Sequence, residues 1–430
     1  MNKFFLFLIT FLIYGCSLNS DSSFWSGSKK INYETNKNIK RLFKSEDTIN
    51  KEINKNVKIN INSIFKTGKN LQNNQGWVNF DGNLKNISKY KFSTINSFDE
   101  FEPDIGFTDD GIVFFDNKRN ILKFNENSKL IWKKNFYNKN EIKQKPILFF
   151  ANNKKDLIVA DTIGKIHKIN ITNGELIWKK INPIPFYSQI KIFDGKIFAV
   201  DFENVLHCFS LKNGDSIWSV KTENSFIRSQ KKSSIVIADD LVFFNNSIGD
   251  ITSVNIDSGD LVWQTSTQPN TIYQDSYSFK NSDLVISKNS IIFSNNKNEF
   301  FLLDKLTGMI QWKQKINSYV RPTVIDNLIF TVSSQGFLVI IDKKTGNIIR
   351  TTDVFDIFNK KKRKKIMPIG FIVAKNHIYL STSNGSLLLI DYVTGKTKAA
   401  YKIDRDRISS PIIVGKNFYL AKKNTIIRLN

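Results

Sequence analysis

One phrase recurs seven times along this chain, and it limits the folds the chain can adopt. Each copy has an apolar run ending near Asp or Asn, a turn containing Gly, and usually Trp four residues later. The clearest copies are IHKINITNGELIW (Ile166–Trp178), LHCFSLKNGDSIW (Leu206–Trp218), ITSVNIDSGDLVW (Ile251–Trp263), FFLLDKLTGMIQW (Phe300–Trp312) and LVIIDKKTGNIIR (Leu338–Arg350). LLLIDYVTGKTKA (Leu387–Ala399) is a sixth copy, and a degenerate first one ends at Trp132. The turn glycines Gly174, Gly214, Gly259, Gly308, Gly346 and Gly395 lie 40, 45, 49, 38 and 49 residues apart. Such a period, with several strands per unit, points to a propeller.

The chemistry of the unit supports that reading. In Asp-x-x-Thr-Gly the carboxylate can accept from backbone amides of the turn, and the Gly takes the positive φ that closes it. A Trp at the same place in each unit is read as packing between stacked sheets rather than as a ligand-stacking face. Upstream of the Gly turns, stretches such as NLIFTVSSQGFLVIID (Asn327–Asp342) and NHIYLSTSNGSLLLID (Asn376–Asp391) read as hairpins. Helical periodicity is absent, so the class is all-β. After seven units one further hairpin follows, Gly415–Asn430, without a Gly turn. Its missing strands are expected from the N-terminal side, within Asn56–Trp77. The expected architecture is an eight-bladed β-propeller of four-stranded antiparallel blades over 56–430, the last blade closed by N-terminal strands.

The start of the chain reads differently. MNKFFLFLITFLIYGC has one Lys and an apolar run too short to span a bilayer. Residues 1–15 read as a secretory signal. The polar, Ser/Asn/Lys-rich stretch 16–55 reads as a flexible tether, in which IKRLFKSED (39–47) carries a weak helical pattern.

Few residues point to chemistry. Beyond Cys16 there is only Cys208, in an apolar strand, read as a buried small hydrophobe. His167 and His207 hold equivalent positions in neighbouring units. They could pair on a metal, but the simpler reading is a slot filled by ring side chains; His377 stands alone. No catalytic, cofactor-binding or metal-ligating constellation emerges. The net charge of +24 would allow anionic partners, yet the lysines are spread along the chain. The run Lys360–Lys365 reads as a solvated loop or a contact for acidic groups.

The repeat resembles the PQQ-like, quinoprotein-type propeller repeat, with FFLLDKLTGMIQW and LLLIDYVTGK as the closest matches. Two branches of that superfamily bear on function. Quinoprotein dehydrogenases imply a quinone cofactor, calcium and a vicinal Cys pair; this chain has no such pair. The layout from residue 16 onward is closer to the BamB family of outer-membrane assembly lipoproteins, and Gly76–Asn86 resembles the stretch before the first blade in that family. The ending Ile-Tyr-Gly-Cys resembles a lipobox, which implies lipidation of Cys16; Ser17 after it implies the outer membrane, facing the periplasm. The resemblance implies a scaffold without cofactor or small-molecule substrate that binds the periplasmic POTRA domains of the central barrel-assembly protein, BamA, and no nucleic acid. In that family a Leu-Arg pair on one connector engages those domains. The corresponding connector here follows Trp218, where Ile227-Arg228 match the pair and Phe226 is the apolar neighbour. A ligand-binding or degenerate quinoprotein propeller and a cell-wall-associated adaptor remain the alternatives.

Overall fold

The computed structural model describes residues 71–95, 102–223, 228–267 and 279–430. The expected leader, Cys16, the tether, Phe226 and Ile227 all lie outside these residues.

Eight antiparallel sheets form the blades of a propeller. Blades 1 to 7 are built from consecutive strands within Gly106–Lys134, Leu148–Ile181, Lys191–Lys221, Ile235–Thr265, Val285–Gln314, Thr323–Asp353 and Pro368–Lys402. In each blade the first strand lies innermost and the fourth outermost. The middle two strands are sandwiched between neighbouring blades and read as continuous apolar runs, such as Ile291–Phe293 and Phe300–Leu303, all at most 2 % exposed. The outermost strands alternate with water, as in Leu261–Thr265.

The Gly turn and the Trp act on different blades. Within a turn, Asp304 Oδ1 accepts from the Leu306 and Thr307 amides at 3.0 and 2.9 Å, and Asp342 does the same for Lys344 and Thr345. The Trp on the outer strand of the preceding blade then lies flat against the turn Gly. Trp132, Trp178, Trp218, Trp263 and Trp312 contact Gly174, Gly214, Gly259, Gly308 and Gly346 respectively. Each indole N–H donates to a carbonyl of the same turn: Ile171, Leu211, Ile256, Lys305 and Lys343, at 2.9–3.3 Å. Arg350 takes the place of the sixth Trp and donates to the Val393 carbonyl beside Gly395. The repeated Trp is therefore an inter-blade clasp.

A β-bulge one residue before the clasp position recurs in all eight outer strands. It turns Ile87, Ile131, Ile177, Ile217 and Val262 outward, each 46–50 % exposed. Together with the edge lysines that follow (Lys133, Lys134, Lys179, Lys180), the bulges block pairing of these free edges with another chain.

The ring closes through both ends of the chain. Blade 8 takes three strands from Ile412–Leu429 and its outermost strand from Asn86–Lys91, antiparallel to Thr425–Leu429. This corrects the expected position of the closing strand within Asn56–Trp77. The described end of that stretch does something else: Trp77–Val78 adds in parallel to the inner edge of blade 7, opposite Val373–Ala374. The hydrophobic alternation of Asn86–Lys91 (NISKYK) is too weak to announce a strand by itself. Among the described residues no Trp–Gly clasp spans this seam. Tyr90, fully buried, stands in by donating its hydroxyl to the Glu126 carbonyl at 3.4 Å, while Phe80 wedges between Tyr379 and Phe418 at 5.7 and 5.6 Å.

The clasp makes a paired prediction. A Cβ at Gly308, where φ is +71°, would lie 2.5 Å from the Trp263 ring, whereas a Cβ at Gly195, where φ is +68°, would meet nothing within 4 Å. Gly195→Ala should cost only the left-handed strain, about 1 kcal/mol. Gly308→Ala should cost at least about 3 kcal/mol because it also opens the clasp. Denaturant unfolding of the two variants checks this; equal losses would contradict the clasp.

Candidate functional site

The central channel is the first candidate. Its inner strands expose unpaired backbone groups, and residues 71–78 satisfy those on one side. This segment crosses the channel near the face that carries the Gly turns. The Leu71 carbonyl accepts from the Ile237 amide at 2.8 Å and the Gln72 carbonyl from the Ile286 amide at 3.0 Å. Asn74 exchanges bonds with the Val324 N–H and C=O at 3.1 and 3.3 Å. Blades 4, 5 and 6 are thus engaged in order before Trp77–Val78 reaches blade 7. Asn73, held at φ 55° and buried, is the pin: its amide donates to Gln189 Oε1 (2.9 Å), Ser234 Oγ (3.0 Å) and the Leu284 carbonyl (3.1 Å). A cavity of about 740 Å³ remains beside this strap, lined by Asn152, Lys191, Asp194, Asp257 and Val414 among others.

Toward the opposite face the channel is crossed by charges. Lys232, just before blade 4, reaches Asp104, just before blade 1, at 2.5 Å. Arg321 pairs with Asp283 at 2.5 Å, and Lys231 donates to the Tyr319 carbonyl at 2.9 Å. Burial alone would raise the Asp283 pKa, but Arg321 and Lys231 hold its carboxyl well below the usual range. Lys191 donates to Asn73 Oδ1 at 2.7 Å, and burial, then the charge of Arg321, pull its pKa down to about 7. The channel wall is a paired ionic network with one strongly depressed amine.

The second candidate is the connector between blades 3 and 4. One end is pinned by Asn204, whose side chain donates to the Glu223 carbonyl at 2.7 Å, and the other by the Ser229 amide, which donates at 2.8 Å to the carbonyl of Ser247, a blade 4 turn residue whose Oγ accepts from Asn204 at 3.0 Å. The second half of the connector begins its described part at Arg228. The guanidinium stacks on the Phe202 ring, 4.2 Å from its centroid, and donates to the Phe202 carbonyl. Phe202 is 43 % exposed and lies edge-on to Tyr187 at 5.8 Å. Burial lowers the Arg228 pKa, against the raising effect of the nearby Glu203 and Asp201. Sequence reading singled out Arg228 but missed Phe202; its exposure on the turn between the second and third strands of blade 3 has no counterpart in the repeat pattern.

The remaining candidates have structural surroundings. Cys208 is fully buried, and burial pushes its thiol up to about 12. His167 sits between the Phe136 and Tyr137 rings at 5.8 Å, and burial, then Lys165 and Lys179, bring its pKa down to about 4. His207 bonds Asp201 at 2.8 Å, and the two histidines share no ligand set. Among the described residues no group of three His, Cys, Asp or Glu side chains converges as a metal site would require. Within the Lys360–Lys365 run, Lys360–Arg363 form a single helical turn, where Arg363 pairs with Asp353 at 2.5 Å.

The repeat and the ring of eight four-stranded blades define a PQQ-like β-propeller. A family model described as outer membrane protein assembly factor BamB matches residues 117–352, more than half of the chain, and the chain belongs to that family. The BamB of Moranella endobia is 20% identical over 271 residues, covering 62% of this chain and 68% of its own length. That of Shewanella oneidensis is 19% identical over 278 residues, covering 64% and 68%. In structure, BamB from Moraxella catarrhalis superposes with a TM-score of 0.67 at 11% identity, covering 81% of this chain and 99% of that one. The quinohemoprotein alcohol dehydrogenase of Comamonas testosteroni superposes with a TM-score of 0.59 at 11% identity, covering 81% and 76%. At these identities the structural likeness concerns the fold alone.

The channel makes a pH prediction. A lysine whose folded pKa lies near 7, below an unfolded value of about 10.4, loses its proton on folding within that window. Its presence is least favourable below pH 7, and stability recovers as the pH rises toward 10. Relative to Lys191→Met, the parent protein should gain up to about 1.4 kcal/mol per pH unit between pH 8 and 10. Urea unfolding across that range measures the difference; a flat difference would mean that Lys191 stays charged in the fold.

Proposed function

We propose that this protein is a non-enzymatic scaffold of the outer-membrane β-barrel assembly machinery, which binds the POTRA domains of the central barrel component BamA. On this reading residues 1–15 are removed, Cys16 is lipidated, residues 16–55 are a tether, and the propeller faces the periplasm from the outer membrane. The observation that carries the proposal is the Arg228–Phe202 stack, on a connector pinned at both ends, in a chain of the BamB family. Arginine and exposed aromatic rings are the side chains that most often anchor protein interfaces, and a pre-stacked pair loses little rotamer freedom on binding. The paired charges and the strap support a structural role for the channel. The cavity beside the strap favours a second reading, a small polar ligand held there. A molecule retained through gentle purification and seen by native mass spectrometry would support that reading instead.

Phe202→Ala and Arg228→Glu should each weaken binding of a POTRA fragment at least about tenfold, since anchors of this type contribute about 2 kcal/mol or more. Their melting temperatures should stay near that of the parent. Titration calorimetry with co-purification from membranes checks this; binding of both variants at parental affinity would place the interface elsewhere.

A further inference from the structure

The blade 5 turn departs from the repeat. Its sequence, Asp304-Lys305-Leu306-Thr307-Gly308-Met309-Ile310, puts Leu306 at 59 % and Met309 at 70 % exposure, beside Ile310, whose position is exposed and apolar in other blades too (Leu130, Leu176, Leu261). The other turns hold polar or charged residues at the Met309 position: Glu175, Asp215, Asp260, Asn347 and Lys396. The Leu306 position is polar in blades 2, 3, 4 and 6, as Thr172, Lys212, Asp257 and Lys344. The turn itself is as rigid as its relatives, since Asp304 accepts from two amides and from the Thr307 hydroxyl. Apolar exposure is therefore added to a fixed, convex tip, not to a groove.

Lysines flank the tip. The Lys305 amide bonds the Asn289 carbonyl at 2.8 Å, which places the hairpin of Lys288 directly beside the turn. Lys288 in turn lies close enough to Lys343, on the blade 6 turn, to help burial lower its pKa, with Asp326 as the opposing charge. Lys344 is exposed next to it. Asp304 is spent inside the turn, and Asp239 is paired with Lys305 at 2.5 Å. An exposed apolar knob with cations on its own hairpin and along its blade 6 side, on a chain of net charge +24, complements a surface with an apolar interior and anionic head groups. We propose that the blade 5 tip inserts Leu306, Met309 and Ile310 into an anionic lipid surface, with Lys288, Lys343 and Lys344 on the head groups. Neither the lipid anchor nor the assembly partner enters this geometry, so the proposed function can fail without it.

The test places an environment-sensitive fluorophore on the tip of the full-length chain. Cys16→Ser with Met309→Cys leaves one reactive thiol, because Cys208 is buried. A second chain carries the label at Asp260→Cys, the same turn position in blade 4. On vesicles of phosphatidylethanolamine and phosphatidylglycerol, the label at 309 should shift to the blue and be shielded from iodide, and that at 260 should not. On phosphatidylcholine vesicles both should remain in water. Lys343→Glu with Lys344→Glu should reduce partitioning about fivefold or more per charge, and Leu306→Asn should reduce the shift at 309. Iodide access at 309 on both vesicle types would overturn the proposal. So would equal shielding at 309 and 260, or shielding produced by an acidic protein fraction and not by lipid.

Discussion

The contact on which this fold depends is the Trp laid flat on the next blade's turn glycine. No blade can bury both of its faces alone, so each is stable only when both neighbours are in place. The clasp fixes that stacking at the outer rim, where the sheets splay apart and packing is thinnest. It combines an apolar ring of ~150–250 Å² with one directed N–H bond. The indole can lie flat only because the turn lacks a Cβ, and the turn can adopt positive φ only because the residue is Gly. A single glycine therefore meets two separate demands, one local and one between blades. The Asp or Asn before it organises the same turn from within.

A chain of clasps still leaves one seam, and there the structure changes materials. Tyr90 and Phe80 replace Trp and Gly at the joints on either side of blade 8. Non-local pairing takes over as well: Asn86–Lys91 lies against Thr425–Leu429, and residues 71–78 cross four inner strands. The strap places polar groups in the channel, which would otherwise present unpaired strand edges or a water column. Asn73 is the most constrained residue of that strap, left-handed and bonded to three blades. The ionic pairs further along the channel do related work, because Lys232–Asp104 links the entries of blades 4 and 1, three places apart around the ring.

The repeat was fully legible because its signal is local: an Asp or Asn, a Gly and a Trp at fixed spacing reveal turn, strand and period together. Blade number followed from it. The closing strand was misplaced because Asn86–Lys91 gains its strand character from its partner, not from its own pattern. Asn73, Lys191, Asp283 and Arg321 were invisible for a related reason. They lie far apart in sequence at ordinary polar positions and become a network only when the inner strands converge. Arg228 was found through its resemblance to a family position, whereas Phe202 was not, since its partner lies 26 residues away. The apolar tip of blade 5 could have been seen by aligning the seven turns and asking which one breaks the polar rule.

Function in this account belongs to surfaces carried on a rigid ring: an arginine–aromatic stack on one pinned connector and a cavity narrowed by the chain's own N-terminal strap. The most direct measurement places a photo-crosslinking amino acid at Phe202 in the full-length protein, in its own cells, and identifies the adducts by mass spectrometry. A dominant adduct with the POTRA-bearing barrel protein of the outer membrane is expected, absent when the same crosslinker replaces Ile131 on the outer strand of blade 1. A folded, exported protein that gives no such adduct at Phe202, or gives it equally at Ile131, would contradict the scaffold reading.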